Sequence, residues 1–277
     1  MRTCRHHLYD RRLSSPGDAP GRPPRDPSSR PMRAAVITDI HSNRPALEAV
    51  LAAIDDMDVE EIWCLGDVVG YGAEPDACTE IVKERCDICL VGKHDLAVLG
   101  ELDVSAFSSA AAEAVTWTQE QAQESTMEFL RPLKPVGERA EVALFHASPR
   151  DPVWEYVLSI EQATDCLELQ PQRIALIGHS HVALYFAGPD TDVSGDVRGV
   201  QALDGASLDL DDGRWLINPG SVGQPRDGDP RAAWLQLDTG EWTAHYHRVE
   251  YEIDLAAKAI AEAGLPKHLG DRLYAGQ

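Results

Sequence analysis

Residues 34–43 read AAVITDIHSN, and residues 61–72 read EIWCLGDVVGYG. In each, a short apolar run rich in β-branched residues breaks abruptly into a polar cluster, the pattern of a buried strand that ends at a turn. Between them RPALEAVLAAIDDM carries apolar residues at three- and four-residue spacing with a proline near its start, which predicts a helix. The unit then repeats: EPDACTEIVKE predicts a second helix and DICLV (87–91) a third strand. Strand–helix–strand units of this length make parallel pairs with right-handed crossovers.

Working outward, EVALFHA (141–147) and RIALIG (173–178) predict two more strands of the same kind. ELDVSAFSSAAAEAVTWTQEQAQESTMEFLR (101–131) reads as two helices inserted between the third and fourth strands. After residue 181 the segments VALYFAG, RGVQAL, SLDL, RWLIN, AAWLQLD and EWTAHYHRV are short, β-rich and set apart by Gly, Asp and Pro. They predict a second, more antiparallel sheet, and DLAAKAIAEAG predicts a last helix. The expectation is one α/β domain over 32–277, without internal repeats.

Residues 1–31 stand apart. Arg, Pro and Ser dominate them, with too little apolar content to fold and no apolar stretch that would make a signal peptide. They are expected to be a disordered tail, with Met32 the natural start. The tail holds seven Arg against three Asp, so a chain of net charge −21 leaves its body near −25. So acidic a body disfavours nucleic-acid polymers and anionic membranes as partners. No apolar run approaches the ~18 residues of a membrane span. Six scattered cysteines with no signal peptide fit reduced thiols, and a soluble cytoplasmic protein is expected. The lone C-x-x-C of Cys86 and Cys89 lacks a second pair at zinc spacing, and Cys89 is expected to be buried.

Reactive side chains in α/β folds gather where parallel strands end. Here the strand ends offer Asp39 and His41, then Gly66-Asp67, then Gly92-Lys93-His94-Asp95, then His146, then Gly178-His179-Ser180-His181. Five of the ten histidines lie at these ends. Imidazole and carboxylate together suit Mn, Fe, Ni, Co or Zn. One aspartate has oxygens enough to bridge two cations, and Asp67 on the middle strand is the natural candidate. Two cations about 3.5–4 Å apart can clamp a phosphoryl group for in-line attack.

In this order, D-I-H, G-D-V-V-G-Y-G, G-K-H-D, His146 and G-H-S-H resemble the motifs of the calcineurin-like metallophosphoesterases. The likeness runs from about Val36 to Gln224. FHASPR (145–150) and NPGSVGQPR (218–226) are similar to the compact bacterial and archaeal phosphodiesterase branch. The resemblance implies a four-layer α-β-β-α sandwich, two mixed sheets flanked by helices. It implies a first metal on Asp39, His41 and His181, a second on His146 and His179, and Asp67 bridging. His94 would be the proton donor to the leaving group. Asp95 would either orient that ring or cap the helix that follows. Where protein-phosphatase relatives carry Asp and Arg after the G-D motif, this chain has Gly70 and Tyr71, which argues against a phosphoprotein phosphatase.

Asn43, Arg150 and Arg226 are candidates for binding substrate phosphate, by amide or bidentate guanidinium; Arg231 is expected to be solvated surface. The glycine-rich NPGSVGQ turn would either present amides to an anion or serve as a tight turn alone. Trp117, His245 and His247 are expected to be structural. P-loop, dinucleotide-binding and serine-elbow signatures are absent. The expected reaction is hydrolysis of a small phosphodiester or nucleotide-like phosphoester by a metal-activated hydroxide, with no covalent enzyme intermediate. The competing expectation is a catalytically weakened relative that serves as a binding or scaffold module.

Lys93 motivates that alternative. The family loop reads Gly-Asn-His, its Asn carbonyl being a ligand of the second metal, and Lys93 stands in that position. A protonated ammonium has no lone pair to coordinate with. Three outcomes follow: the ammonium replaces the second cation, swings out and leaves that site weaker, or lowers activity as a tolerated lesion.

Overall fold

The computed structural model describes residues 30–189 and 196–277. Of the tail expected over 1–31, all but Arg30 and Pro31 lies outside the described residues; Arg30 donates to Glu60 at 2.7 Å.

Twelve strands are described: β1 (Arg33–Ile37), β2 (Glu61–Cys64), β3 (Ile88–Cys89), β4 (Val136–Arg139), β5 (Val142–Phe145), β6 (Ile174–Leu176), β7 (Leu184–Gly188), β8 (Arg198–Gln201), β9 (Ser207–Asp209), β10 (Arg214–Asn218), β11 (Ala232–Asp238) and β12 (Thr243–Val249). They form two six-stranded sheets, ordered β3-β2-β1-β11-β12-β9 and β4-β5-β6-β10-β7-β8. The first three strands are parallel, as their helical connections require. The expected sandwich of two mixed sheets holds, but the segments after residue 181 are shared between the sheets and do not make a second sheet of their own. β5 and β6 leave for the second sheet, while β11 returns to pair antiparallel with β1, Val36 opposite Leu235. Both sheets are therefore mixed. A local apolar pattern says which face of a strand is buried, not which distant strand lies beside it.

The helices are α1 (Arg44–Asp55), α2 (Pro75–Arg85), α3 (Lys93–Val98), α4 (Ser109–Gln121), α5 (Glu124–Leu130), α6 (Ile160–Leu169), α7 (Ile253–Glu262) and α8 (Lys267–Asp271). Alternation along β1 shows how they are layered. Ala35 and Ile37 face α1 in a core with Leu47, Val50 and Ile54. Ala34 and Val36 face the other way, into a core between the sheets with Leu144, Leu176 and Ile217. A third core packs Ala175 and Ile177 against Ala163, Cys166 and Leu167 of α6. The result is an α-β-β-α sandwich. None of the described helices is long and apolar enough to cross a membrane.

Candidate metal centre

Backbone strain concentrates where the strands end. Asp39, His41, Asp67, His179 and His181 all adopt positive φ, between 51° and 64°. Side chains other than glycine avoid this region, and each such residue costs on the order of 1–3 kcal/mol that the surrounding structure must offset. The loops are held by one another: Asp39 N–H donates to Gly66 O at 3.0 Å and His41 N–H to Asp67 O at 2.9 Å. The NPGSVGQ loop braces them further. Val222 and Gly223 amides donate to Thr38 O and Asp39 O, and Ser221 Oγ donates to Asp39 O at 2.8 Å. With its amides committed in this way, that loop is a brace rather than an anion nest. Asn218 adds donations from Nδ2 to Gly178 O and Ser180 Oγ, aligning the His-Ser-His turn.

The six candidate ligands converge. Asp39, His41, Asp67 and His181 bring donor atoms within 4.8 Å of one another; Asp67, His146 and His179 do the same. Asp67 belongs to both groups. His181 Nε2 lies 3.3 Å from Asp39 Oδ1, His41 Nε2 3.5 Å from Asp67 Oδ2, and His146 Nε2 3.6 Å from Asp67 Oδ1. Each of three rings has its Nδ1 against a backbone carbonyl: His41 on Val69, His181 on Gln224, His146 on Leu65. A carbonyl only accepts, so Nδ1 carries the proton and Nε2 presents a lone pair to the centre.

That arrangement tests whether cations fit. His41 Nε2 and His181 Nε2 face each other at 3.1 Å. With both tautomers set by carbonyls, two lone pairs oppose across that gap, which a cation between them would reverse. Asp39 Oδ1, Asp67 Oδ2, His146 Nε2 and both ring nitrogens of His179 are buried without a hydrogen-bond partner. Buried polar atoms are seldom left so. The donor set therefore fits divalent metal.

Burial also sets the charges. It raises the Asp39 carboxyl to about 6, against the pull of His146 and of donors from Thr38 and His179. It lifts Asp67 well above the usual range, helped by Asp95 and Asp39. It holds His41, His179 and His181 well below their ordinary value, and lowers His146. Burial thus favours the neutral form of every one of these imidazoles and carboxyls.

The other candidates divide. His94 sits beside the centre, its ring 4.9 Å from that of His41, with Nδ1 unpartnered. Asp95 does not orient that ring. Its oxygens accept the Gly92 and Val69 amides at 2.8 and 3.0 Å, so it ties α3 to the second strand-end loop. Asn43 is not available to substrate either: Oδ1 caps α1 at Ala46, and Nδ2 donates to Gly223 O and Tyr251 Oη. Arg150 is taken by Glu155 and Asp165, carboxylates not visible as its partners in the local sequence. Arg226 remains at the centre, with Nη2 on Gln224 Oε1 and Nε buried and unpartnered. Arg231 is paired with Asp204 and Asp229.

The Lys93 Nζ stands 4.6 Å from the centre of the Phe107 ring and 4.5 Å from that of Trp154. A half-desolvated ammonium gains from two aromatic faces what it cannot gain as a ligand. Sequence reasoning missed these two rings, and also Tyr71, wedged 4.3 Å from His94 and 4.7 Å from His41. Tyr156, stacked on His179 at 4.2 Å, and Arg272, over Tyr71, were missed as well. Only Tyr71, inside the G-D-V-V-G-Y-G motif, carried a local signal. Trp117, His245 and His247 are structural: Trp117 packs with Ala111 and Ala114, His245 meets Ser207 Oγ, and His247 stacks on Trp234. The Cys86 and Cys89 side chains pack partly buried against the α1 core.

A calcineurin-like phosphoesterase superfamily domain matches residues 32–240. The chain belongs to this family. It is accordingly a metal-dependent phosphoric ester hydrolase by class. It is similar to protein MJ0912 of Methanocaldococcus jannaschii, 36% identical over 248 residues that cover 88% of this chain and 98% of that one. Among solved structures, a metallophosphoesterase from Sphaerobacter thermophilus is 38% identical with a TM-score of 0.80, covering 90% of this chain and all of the other. The Pyrococcus horikoshii protein PH1004, 19% identical over 88% of this chain and 98% of its own, shares the fold at a TM-score of 0.70.

Proposed function

We propose that the chain hydrolyses a small phosphodiester or nucleotide-like phosphoester at a two-cation centre. Asp39, His41 and His181 would hold one cation, His146 and His179 the other, with Asp67 between them. The observation that carries this is the pair of donor groups sharing Asp67, with Asp39 Oδ1, Asp67 Oδ2, His146 Nε2 and both nitrogens of His179 buried and unpartnered. A mixed imidazole–carboxylate set suits Mn, Fe, Co, Ni or Zn. When bound, the cations would polarise phosphoryl oxygens and make a water more acidic.

The chain's own residues supply the rest. His94 is held well below its ordinary pKa first by burial, then by Lys93 and Arg226. A phosphate arriving near those cations offsets them and raises the proton affinity of the ring. That change favours His94 in the role of proton donor when the anion is in place. Phe107 meets the buried ring edge-on and Tyr71 lies tilted against it at 4.3 Å. Retention of all six donor positions favours catalysis over a scaffold role. Lys93, turned to the rings, leaves the His146–His179 group with three protein donors and makes it the weaker site.

Metal content by mass spectrometry, with turnover of bis-p-nitrophenyl phosphate and p-nitrophenyl phosphate under added Mn²⁺, tests the reading. Bound metal and turnover lost in Asp67→Asn are expected. A chain that binds no metal and hydrolyses neither ester would overturn it.

A further inference from the structure

Two guanidinium groups meet over one ring beside the proposed centre. Arg226 lies 5.7 Å and Arg272 5.9 Å from the centre of Tyr71, which itself touches His41 and His94. Among the described residues, neither is paired with an Asp or Glu side chain. Arg226 bonds Gln224 Oε1 and keeps Nε buried and unpartnered, while Arg272 bonds the backbone oxygen of Gln277. The chain's net charge is −21, and Arg150, Arg231 and Arg248 are each closed by carboxylates.

Both groups are half-buried, and burial together with Arg226 pulls Arg272 below its ordinary value. Two cations beside one ring repel, and an anion between them turns that repulsion into attraction. The guanidinium fork matches phosphate oxygens in pairs. Arg272 stands in a 3₁₀ turn, Arg272–Ala275, beyond the 32–240 span that matches the family domain.

We infer that Arg226 and Arg272 form a second anion subsite, which selects phosphoesters bearing a further phosphate beyond the one hydrolysed. The inference rests on the phosphoesterase reading above for the reaction, but not for the binding. A nucleoside diphosphate has the required chemistry, one phosphate at the centre and its neighbour over Tyr71. A simple diester leaves the pair unanswered.

Calorimetric titration of the full, metal-stripped chain with inorganic pyrophosphate and inorganic orthophosphate tests the binding without turnover. Pyrophosphate is expected to bind about tenfold tighter or more, the scale of one charge-assisted bidentate contact. Arg272→Gln should abolish that preference and Arg272→Lys should keep part of it; Arg226→Gln should act as Arg272→Gln does. On the manganese-loaded protein, the ratio of kcat/KM for adenosine 5′-diphosphate over adenosine 5′-monophosphate should fall about tenfold in Arg272→Gln. Equal binding of the two anions by the wild-type chain, or an unchanged preference in a folded Arg272→Gln variant, would overturn the subsite. A pyrophosphate preference that Arg272→Gln removes supports it even if no ester is turned over, and that result would sink the hydrolase reading alone.

Discussion

Gly92 precedes Lys93 at the mouth of the third strand-end loop, and Gly92→Ala is the sharpest test of how the centre is held. Its φ is an ordinary −99°, so alanine suffers no backbone penalty of its own. The obstacle is space. A methyl built there would lie 2.7 Å from Asp67 Cγ, and closer still to Asp67 Oδ1 and the Asp67 amide nitrogen. Neither side can retreat. Gly92 N–H is bonded to Asp95, Asp67 Oδ1 to the His94 amide at 2.7 Å, and Asp67 O to His41 N–H. Overlap against fixed backbone belongs at the upper end of the about 1–3 kcal/mol cost of overpacking. For a chain of this size that is a loss of roughly 6–12 °C in Tm. Asp67 is the residue both donor groups share, so its displacement by about 1 Å should also cost on the order of a hundredfold in turnover. Differential scanning calorimetry, metal content and kcat/KM on p-nitrophenyl esters read the three effects. Gly100→Ala is the control. Its φ is +78° but nothing lies within 4 Å, so it should lose only about 1–2 kcal/mol and keep its metals. Wild-type metal content in Gly92→Ala, with kcat/KM within twofold of the parent, would refute the reasoning.

Two further outcomes are expected. Lys93→Asn removes the ammonium from Phe107 and Trp154, at about 0.5–1 kcal/mol per ring, and offers a carbonyl oxygen toward His146 and His179. Metal stoichiometry should rise toward two per chain while Tm falls by a few degrees; equal stoichiometry and turnover in both proteins would sink the idea. Metal affinity should also decline as pH falls through about 6. The Asp39 carboxyl is raised to about 6 by burial and Asp67 is raised as well, so a cation must displace carboxyl protons as the pH falls, whereas the histidines, held low, do not compete. One competing proton weakens binding by up to about tenfold per pH unit, and calorimetric affinities that stay flat from pH 7.5 to 5 would contradict the assignment.

The alternation of helix and strand up to residue 91 was legible because each element announces its own period and its own turn residues. The same locality hid the exchange of strands between sheets, since β11 carries no mark that it pairs with β1. It likewise misplaced the polar residues. Asn43 and Arg150 have the side chains for substrate work, yet each is consumed by a partner, the α1 amide at Ala46 and Glu155 with Asp165; of the two roles open to Asp95, it takes the cap on α3.

Sequence by itself determined the inventory of the centre. Asp39, His41, Asp67, His146, His179 and His181 each follow an apolar strand directly, and parallel strands must end on one side of their sheet. Tertiary structure decided the allocation. It set which nitrogen of each imidazole faces inward, through carbonyls of Val69, Leu65 and Gln224 distant in sequence. It turned Lys93 onto rings from the 101–131 region and from the loop before α6, and it brought Arg272 from the C-terminal turn to within reach of Arg226. These outcomes depend on which groups lie within a few ångströms after folding, a quantity that no local pattern of residues encodes.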